Sequence, residues 1–445
     1  MARRSPVLHL HQRAEAVLQT YGDDQGGCPV VQTYGPVELE YAALRKGCVL
    51  LDMPQRATLE VTGADRVEFL GRMVTQETKK WEPYTSRRSF WLSRTGRIEA
   101  DMRMTLLPEC VRLDMDVHVA AGSLKSLSAY IITEDAAISD RTEELHRLAL
   151  HGPGAIEVLR GVAEQRGGAG VGAVLETIKP GEAALVGIAG ASVLVERADS
   201  TGEIGLELTV ATAEAERVYT TLVQHGSHPP GPAVLGVAGV TVEGRAAGVG
   251  GGSGGGVMMG GHRVAFRPAG WAAWNIARIE AGTPVHLIDF GGQSLPAETG
   301  VLNDRVSFTK GCYLGQEIVA RMHSLGHPKQ KVVGLRCVVR RMKVAAADAT
   351  MEAPEVEAPV QPVSGSQVFA KPAEGAELGD PIGVVSSATT SPLLGDAPVC
   401  LATVKFKHIA EGATVLVEAG GAEGGLIEAT MLAELGPLAS RPKAG

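Results

Sequence analysis

The chain has few aromatic residues, scattered cysteines and no long apolar run, and each shortage removes a class of function. Aromatics make up 4% of its 445 residues, too few for the stacking platforms on which single-stranded nucleic acid lies. Acidic residues outnumber basic ones by 50 to 42, a formal net charge of −8, so the broad positive footprint that neutralises a phosphate backbone is missing. No stretch comes near the ~18 apolar residues that cross a bilayer. We therefore expect neither a nucleic-acid nor a membrane partner. The six cysteines, Cys28, Cys48, Cys110, Cys312, Cys337 and Cys400, form no C-x-x-C pair, which argues for reduced thiols in place of a disulfide framework or a zinc site. At the N-terminus, Arg3 and Arg4 precede an apolar fragment cut by Pro6 and His9, too short for a secretory signal. Glu15, Asp23 and Asp24 follow soon after, so the expected location is cytoplasmic, with the mitochondrial matrix as the alternative.

What the chain has in quantity is glycine, 56 residues, and a length that calls for two or three domains. The segment PVELEYAALRKG from Pro36 predicts a helix with Pro at its first turn and Gly47 as its stop. A strand over Ala57 to Val61 leads into a second helix marked by Val67, Leu70 and Val74. Strands follow at Arg88 to Leu92, Ile98 to Leu106 and Val111 to Val119. Along the second, Ile98, Ala100, Met102 and Met104 alternate with Glu99, Asp101, Arg103 and Thr105. The third alternates with Arg112, Asp114, Asp116 and His118 outward, which predicts an antiparallel sheet with one open or cleft-facing side.

Further on, a helix is predicted over Ala121 to Thr133, strands near Leu148, at Ser192 to Glu196 and at Ile204 to Val210, and a helix from Ala213 to Gln224. The glycine-rich run Gly244 to Gly261 reads as a flexible linker. Pro268 to Gly282, PAGWAAWNIARIEAG, reads as a helix. From Lys331 the pattern is strand-rich and suggests a small β-barrel or sandwich, interrupted by the Ala-, Glu- and Pro-rich stretch Ala345 to Pro381, which resembles a disordered insertion.

The segment FTKGCYLGQEIVAR, Phe308 to Arg321, concentrates the chemistry. Cys312 stands before a helix expected to begin near Gly315, with Lys310 two residues upstream. A helix N-terminus and a nearby ammonium both favour a thiolate, while a small buried thiol in a turn is the plainer alternative. Gln316 and Glu317 fit either ligand binding or complementation of the helix dipole. His323 and His327 have H-x3-H spacing, but Gly326 and Pro328 break that helix and no third ligand is near, so no metal site is expected. Asp101, between Glu99 and Arg103 on its face, suits an amine-polarising carboxylate or a solvated sheet edge.

Four segments, EYAALRKGCVLLDM with LEVTGADRVEFLGRMVTQE, STGEIGLELTV, PAGWAAWNIARIEAG and IGVVSSATTSPLLG, resemble the glycine-cleavage T-protein superfamily, and together they run from about Glu38 to the C-terminal strands. Within it, KGCYLGQE, Lys310 to Glu317, resembles the signature of the YgfZ type, folate-binding proteins that help mature or repair iron–sulfur enzymes. The resemblance implies an α+β, three-domain cloverleaf of antiparallel sheets and helices with a small C-terminal β-barrel. Its parts would be a folate-binding domain over 1–140 completed by about 262–330, a ferredoxin-like domain over 141–243, a linker over 244–261, and a barrel over 331–445 with a disordered insertion at about 343–380.

The resemblance also implies tetrahydrofolate, or a one-carbon derivative, in a central channel. Glu203 matches the family's folate-binding glutamate, while Arg278 and Glu280 of RIEAG and Glu298 of LPAETG match positions around the core and channel. Asp101, Tyr313, Gln316 and Glu317 would complete the folate site, with Cys312, Lys310 and Asp101 as the reactive groups. The implied partners are folate and iron–sulfur client or assembly proteins. Three departures weaken an enzymatic reading: Ala100-Asp101 replaces two adjacent aspartates, Ala273-Trp274-Asn275 replaces A-R-D, and Ala410 stands near a missing C-terminal arginine. The expected function is thus a folate-binding accessory factor for iron–sulfur proteins, with a folate-dependent aminomethyltransferase as the alternative.

Overall fold

The computed structural model describes residues 3–23, 26–164, 175–227, 255–259, 262–344, 356–420 and 425–439. It has the expected α+β character, antiparallel sheets with helices and a C-terminal β-barrel. One antiparallel sheet of five strands runs Thr85–Leu92, Ile98–Leu106, Val111–Asp116, Arg56–Thr62 and Ala137–Asp140 in spatial order. A second sheet of eight strands includes Ala191–Arg197, Gly205–Ala211, Leu145–His151, Cys48–Asp52 and His262–Pro268. Its pairing is antiparallel except where His262–Pro268 lies parallel to Cys48–Asp52. Chain from the N-terminal part and from beyond residue 254 therefore extends the sheet of the middle segment. The barrel closes Gln330–Cys337 against both Ala397–Lys405 and Leu426–Leu432.

Several elements follow their sequence signals. Val37–Lys46 forms a helix that ends at Gly47, and Arg66–Met73 forms the next. Others differ. The strand from Val111 stops at Asp116, not Val119, because the Asp116 carboxylate accepts the His118 backbone N–H at 2.9 Å and caps a helix over Val117–Ser128. The helix expected from Pro268 begins at Trp271, since Pro268 still belongs to a strand. In the glycine-rich run, Gly255–Met259 pairs as a strand with His262–Pro268, and residues 244–254 and 260–261 lie outside the described residues. The stretch expected to be disordered contains the strands Val356–Pro359 and Gln367–Ala370; Val368 of the latter is fully buried in the barrel core, and 345–355 lie outside the described residues.

The charged faces of the first sheet are not open. Asp101, Arg103 and Asp114 are all buried, and Arg103 and Asp114 meet the second sheet through guanidinium–carboxylate pairs with Glu207 and Arg147. Glu196 and Glu207 stand directly opposite each other on neighbouring strands, a like-charge pair that is destabilising alone. Arg147 binds both, at 3.1 and 2.8 Å, and approaches Asp114 at 3.3 Å. Arg103 reaches Asp114 at 3.2 Å and also pairs with Glu207, while Arg56 meets Asp114 at 2.7 Å. Burial alone would raise the Asp114 carboxyl, but Arg147, Arg56 and Arg103 outweigh it and hold it well below the usual carboxylate range. Glu207 is likewise depressed, by Arg103 and Arg147 against burial.

The helix Trp271–Glu280 joins this assembly to the barrel. Glu280 accepts from Tyr41 at 2.7 Å, Arg45 at 2.5 Å and Ser391 at 2.5 Å. Arg278 donates to Asp289 at 2.7 Å and to Ser387 at 2.8 Å. Gly282 follows at φ 68°, where a Cβ would come within 2.2 Å of the Gly436 carbonyl, so the barrel's last segment packs directly on its backbone.

Removing one partner of a buried pair leaves its counter-charges uncompensated, so Arg147→Met should destabilise the fold by about 3–5 kcal/mol in chemical denaturation. The pH dependence has a defined sign. Carboxyls whose folded pKa lies below the unfolded value stabilise fully above the unfolded pKa of ~4, and that contribution is lost as pH falls through the folded value. The denaturation midpoint should therefore drop steadily below about pH 4, and Arg147→Met should flatten that slope.

Candidate functional site

A charged cavity lies where the first sheet faces the helix Trp271–Glu280 and the loop that follows it. Asp101, Arg88 and Arg103 reach it from the first sheet, Glu207 from the second, and Trp271, Trp274 and His286 from the helix and its loop. In this conformation it is narrow, about 80 Å³. Its wall includes Arg88, Thr283 and Pro284, which also border a wider cavity of about 560 Å³ beside Met322, His323 and Lys331.

Asp101 is held by both arms of one guanidinium: Arg305 Nε lies 3.2 Å from Oδ1 and Nη2 3.4 Å from Oδ2. Burial would raise its pKa, yet Arg305 and then Arg88 overcome this and keep it below the ordinary carboxylate value. At neutral pH Asp101 is thus an ionised group suited to attract a cation, with little tendency to accept a proton. The Arg88 guanidinium makes no hydrogen bond or ion pair among the described residues and the residue is exposed, so the group is available to an anion. An aromatic wall closes the site: ring centroids are 4.8 Å apart for Trp271 and Trp274 and 5.4 Å for Tyr21 and Trp271. Burial lowers the pKa of His286, with Asp101 opposing, so its imidazole is neutral at pH 7.

The KGCYLGQE segment lies elsewhere. Lys310 is buried, and its ammonium donates to the carbonyls of Val74 at 2.6 Å and Gln76 at 2.8 Å. Burial brings its pKa down to about 8. It also stands 5.1 Å from the centre of the Tyr313 ring, whose hydroxyl burial pushes up to about 12. Gly315, at φ 78°, precedes the helix Gln316–Leu325 and packs on the turn at Ser93, where a Cβ would come within 2.7 Å of the Ser93 carbonyl. Gln316 folds back to accept the Tyr313 N–H at 3.3 Å. Cys312 and Glu317 are exposed, and the other five cysteines are buried.

Of the catalytic and folate-site residues expected from the sequence, the structure brings Asp101 alone to the charged cavity. Glu203 is outside its wall and lies 3.3 Å from Arg45, whereas Glu207, four residues later in the same TGEIGLE segment, lines it. Arg278 and Glu280 work in the joint to the barrel, and Glu298 accepts the Leu295 N–H at 2.9 Å within a single helical turn. Lys310, Cys312, Tyr313, Gln316 and Glu317 share a loop that is not part of the wall, though Met322 and His323 of the next helix border the wider cavity. His323 stacks on Phe308 and His327 on Phe406, and no group of three or more potential metal ligands occurs among the described residues. Sequence reasoning missed Arg88, Glu207, His286 and Arg305. Alternation along Thr85–Leu92 and Gly205–Ala211 was the available signal for the first two; His286 and Arg305 sit in segments with no periodic pattern.

The profile of the GCVT N-terminal domain family matches residues 10–238. An aminomethyltransferase from Corynebacterium jeikeium is 25% identical over 94% of this chain and 95% of its own length. Another from Symbiobacterium thermophilum is 24% identical over 93% and 92%. The solved structure of glycine cleavage system aminomethyltransferase T from Bartonella henselae has a TM-score of 0.71 at 20% identity, covering 97% of each chain. That likeness establishes a shared fold.

Replacing Arg305 with Gln should let the Asp101 pKa move up toward or past the ordinary ~4, read by carbon NMR of the labelled carboxyl, with Arg305→Lys showing a smaller change. Native alkylation by iodoacetamide should modify one thiol per chain, and mass spectrometry should find Cys312→Ser unmodified under the same conditions.

Proposed function

Because this chain belongs to the GCVT N-terminal domain family, we propose that it binds a reduced folate in the charged cavity and acts in folate-dependent aminomethyl transfer. The observation that carries this reading is Asp101, an ionised carboxylate fixed by Arg305 beside an aromatic wall. Such a group draws a protonated amine and orients it. Tetrahydrofolate, when bound, supplies the acceptor for a one-carbon unit. The residues present fit its chemistry: the aromatic faces of Trp271 and Trp274, tilted 47° to each other, and the Glu207 carboxylate for a flat ring with N–H donors, and the unpaired Arg88 guanidinium for a carboxylate tail. At about 80 Å³ the cavity admits a ring only as its wall side chains part. Arg88 would also take the role left vacant where Trp274 stands in place of the arginine of the T-protein pattern. The names of the relatives, which match along more than nine-tenths of this chain, support the same reading.

A second reading has its own observation. Cys312 is the one exposed thiol of six and is carried on a loop anchored by Lys310 and Gly315. That arrangement suits a folate-binding accessory factor of the YgfZ type, presenting a sulfur to iron–sulfur client or assembly proteins in the cytoplasm or the mitochondrial matrix.

Calorimetric titration with tetrahydrofolate should show one site per chain, weakened about tenfold, or ~1.4 kcal/mol, by Glu207→Gln and left unchanged by Glu203→Gln. Ammonia release from an aminomethylated lipoyl carrier protein then separates the readings. Turnover supports the transferase. Folate binding without turnover, together with iron–sulfur enzyme activities restored in a deletion strain by the wild type and not by Cys312→Ala, supports the accessory factor. No heat with any reduced folate defeats both.

A further inference from the structure

Three uncharged side chains on the wall of the charged cavity are more than nine-tenths buried and leave polar atoms without a hydrogen bond. His286 is 5% exposed and neither Nδ1 nor Nε2 has a partner; Gln55, also 5% exposed, leaves Oε1 unpaired; Trp274, 8% exposed, leaves Nε1 unpaired. They come from three separate places in the chain. Gln55 stands in the turn between the strands Cys48–Asp52 and Arg56–Thr62, Trp274 in the helix Trp271–Glu280, and His286 in the loop beyond it. Their convergence on one wall is a property of the tertiary structure.

An unsatisfied buried polar group costs about 1–3 kcal/mol, and buried polar atoms in native proteins are overwhelmingly paired. A wall that served the fold alone would be more stable with Leu, Phe and Phe at these positions. The polar atoms are also chemically complementary: an amide oxygen that accepts, an indole N–H that donates, and a neutral imidazole that does one of each. Nearby Asp101 and Asp114 are by contrast ion-paired, with Arg305 and with Arg56, Arg103 and Arg147. Among the buried charged residues of the wall only Arg103 Nε lacks a hydrogen bond, and it lies 3.8 Å from the Glu196 carboxylate, so the other buried unpaired atoms belong to the uncharged polar residues.

We propose that Gln55, Trp274 and His286 form a recognition set that reads the donor and acceptor edge of a flat nitrogen heterocycle of the reduced pterin class. The proposal rests on the reading of the cavity as a folate site and names the residues that choose the ring. Each gives up folding stability in the free protein and regains it as hydrogen bonds to the ligand, the usual conflict between stability and a prepared site. Asp101 attracts charge; these three read shape and hydrogen-bond pattern.

The test compares the wild-type protein with Gln55→Leu, Trp274→Phe and His286→Phe. Calorimetry uses 5-formyltetrahydrofolate, tetrahydrobiopterin as the ring without its tail, and p-aminobenzoylglutamate as the tail without its ring. Thermal unfolding is measured with no ligand. Each variant is expected to bind both ring-bearing probes at least tenfold more weakly, to bind the tail fragment as the wild type does, and to unfold at the same or a higher temperature when free. Wild-type affinity for the ring-bearing probes in all three variants overturns this inference and leaves the folate reading standing. Lower free-state stability in all three shows that the side chains serve the fold and also overturns it. Failure of the wild type to bind either ring-bearing probe overturns the folate reading and this inference together.

Discussion

The structure depends on one constraint: two sheets meet face to face through buried guanidinium–carboxylate pairs instead of hydrocarbon. Arg56, Arg103 and Arg147 face Asp114, Glu196 and Glu207, so the group balances in charge. The balance matters more than any single pair. A buried ion pair gives little net stability against an apolar replacement, but an unmatched buried charge is severely destabilising. With Glu196 and Glu207 directly opposite each other, Arg147 is the residue whose loss leaves most charge unanswered. Directional hydrogen bonds of this kind also fix how the sheets sit on one another, which greasy packing would do less tightly.

The same residues form the wall of the cavity. Arg103, Asp114 and Glu207 bind across the sheets and line the space beyond them. The carboxylates that would address a ligand are therefore held in their ionised state by the contacts that hold the fold together. Arg305 extends the principle to Asp101, binding it with two arms. A site built this way changes little in charge across neutral pH, since Asp101, Asp114 and Glu207 are pulled below their ordinary range and the nearby imidazole is kept neutral by burial.

Much of the architecture was legible because local signals coincide with element ends: Pro36 and Gly47 around a helix, and alternation through Ile98–Leu106. The burial of the charged faces was not. Alternation separates two faces of a strand but does not say which is covered when the covering groups, Arg147, Glu196 and Glu207, lie far along the chain. Asp116 shows a second limit, since strand periodicity runs on to Val119 while one capping carboxylate turns the backbone into a helix at Val117. In TGEIGLE, two glutamates stand four residues apart; the family pattern points to Glu203, and the fold pairs it with Arg45 while bringing Glu207 to the cavity wall. Gln55 and His286 belong to no motif and could be found only through their unpaired atoms.

The KGCYLGQE segment then reads as two kinds of residue. Lys310, Tyr313, Gly315 and Gln316 are occupied in holding the loop: an ammonium on two carbonyls, a buried ring, a left-handed glycine against Ser93, and an amide folded back on the backbone. Cys312 and Glu317 are what the loop displays. A loop fixed by so many interactions presents its thiol at a defined position, and rigidity is what a site needs if it is to be read by another molecule. The Lys310 ammonium spends its hydrogen bonds inward, so the role proposed for Cys312 rests on exposure and placement more than on a neighbouring charge. The display and the charged cavity remain separate sites on one chain. A structural connection runs through the helix Gln316–Leu325, whose Met322 and His323 border the wider cavity that shares Arg88 with the narrow one.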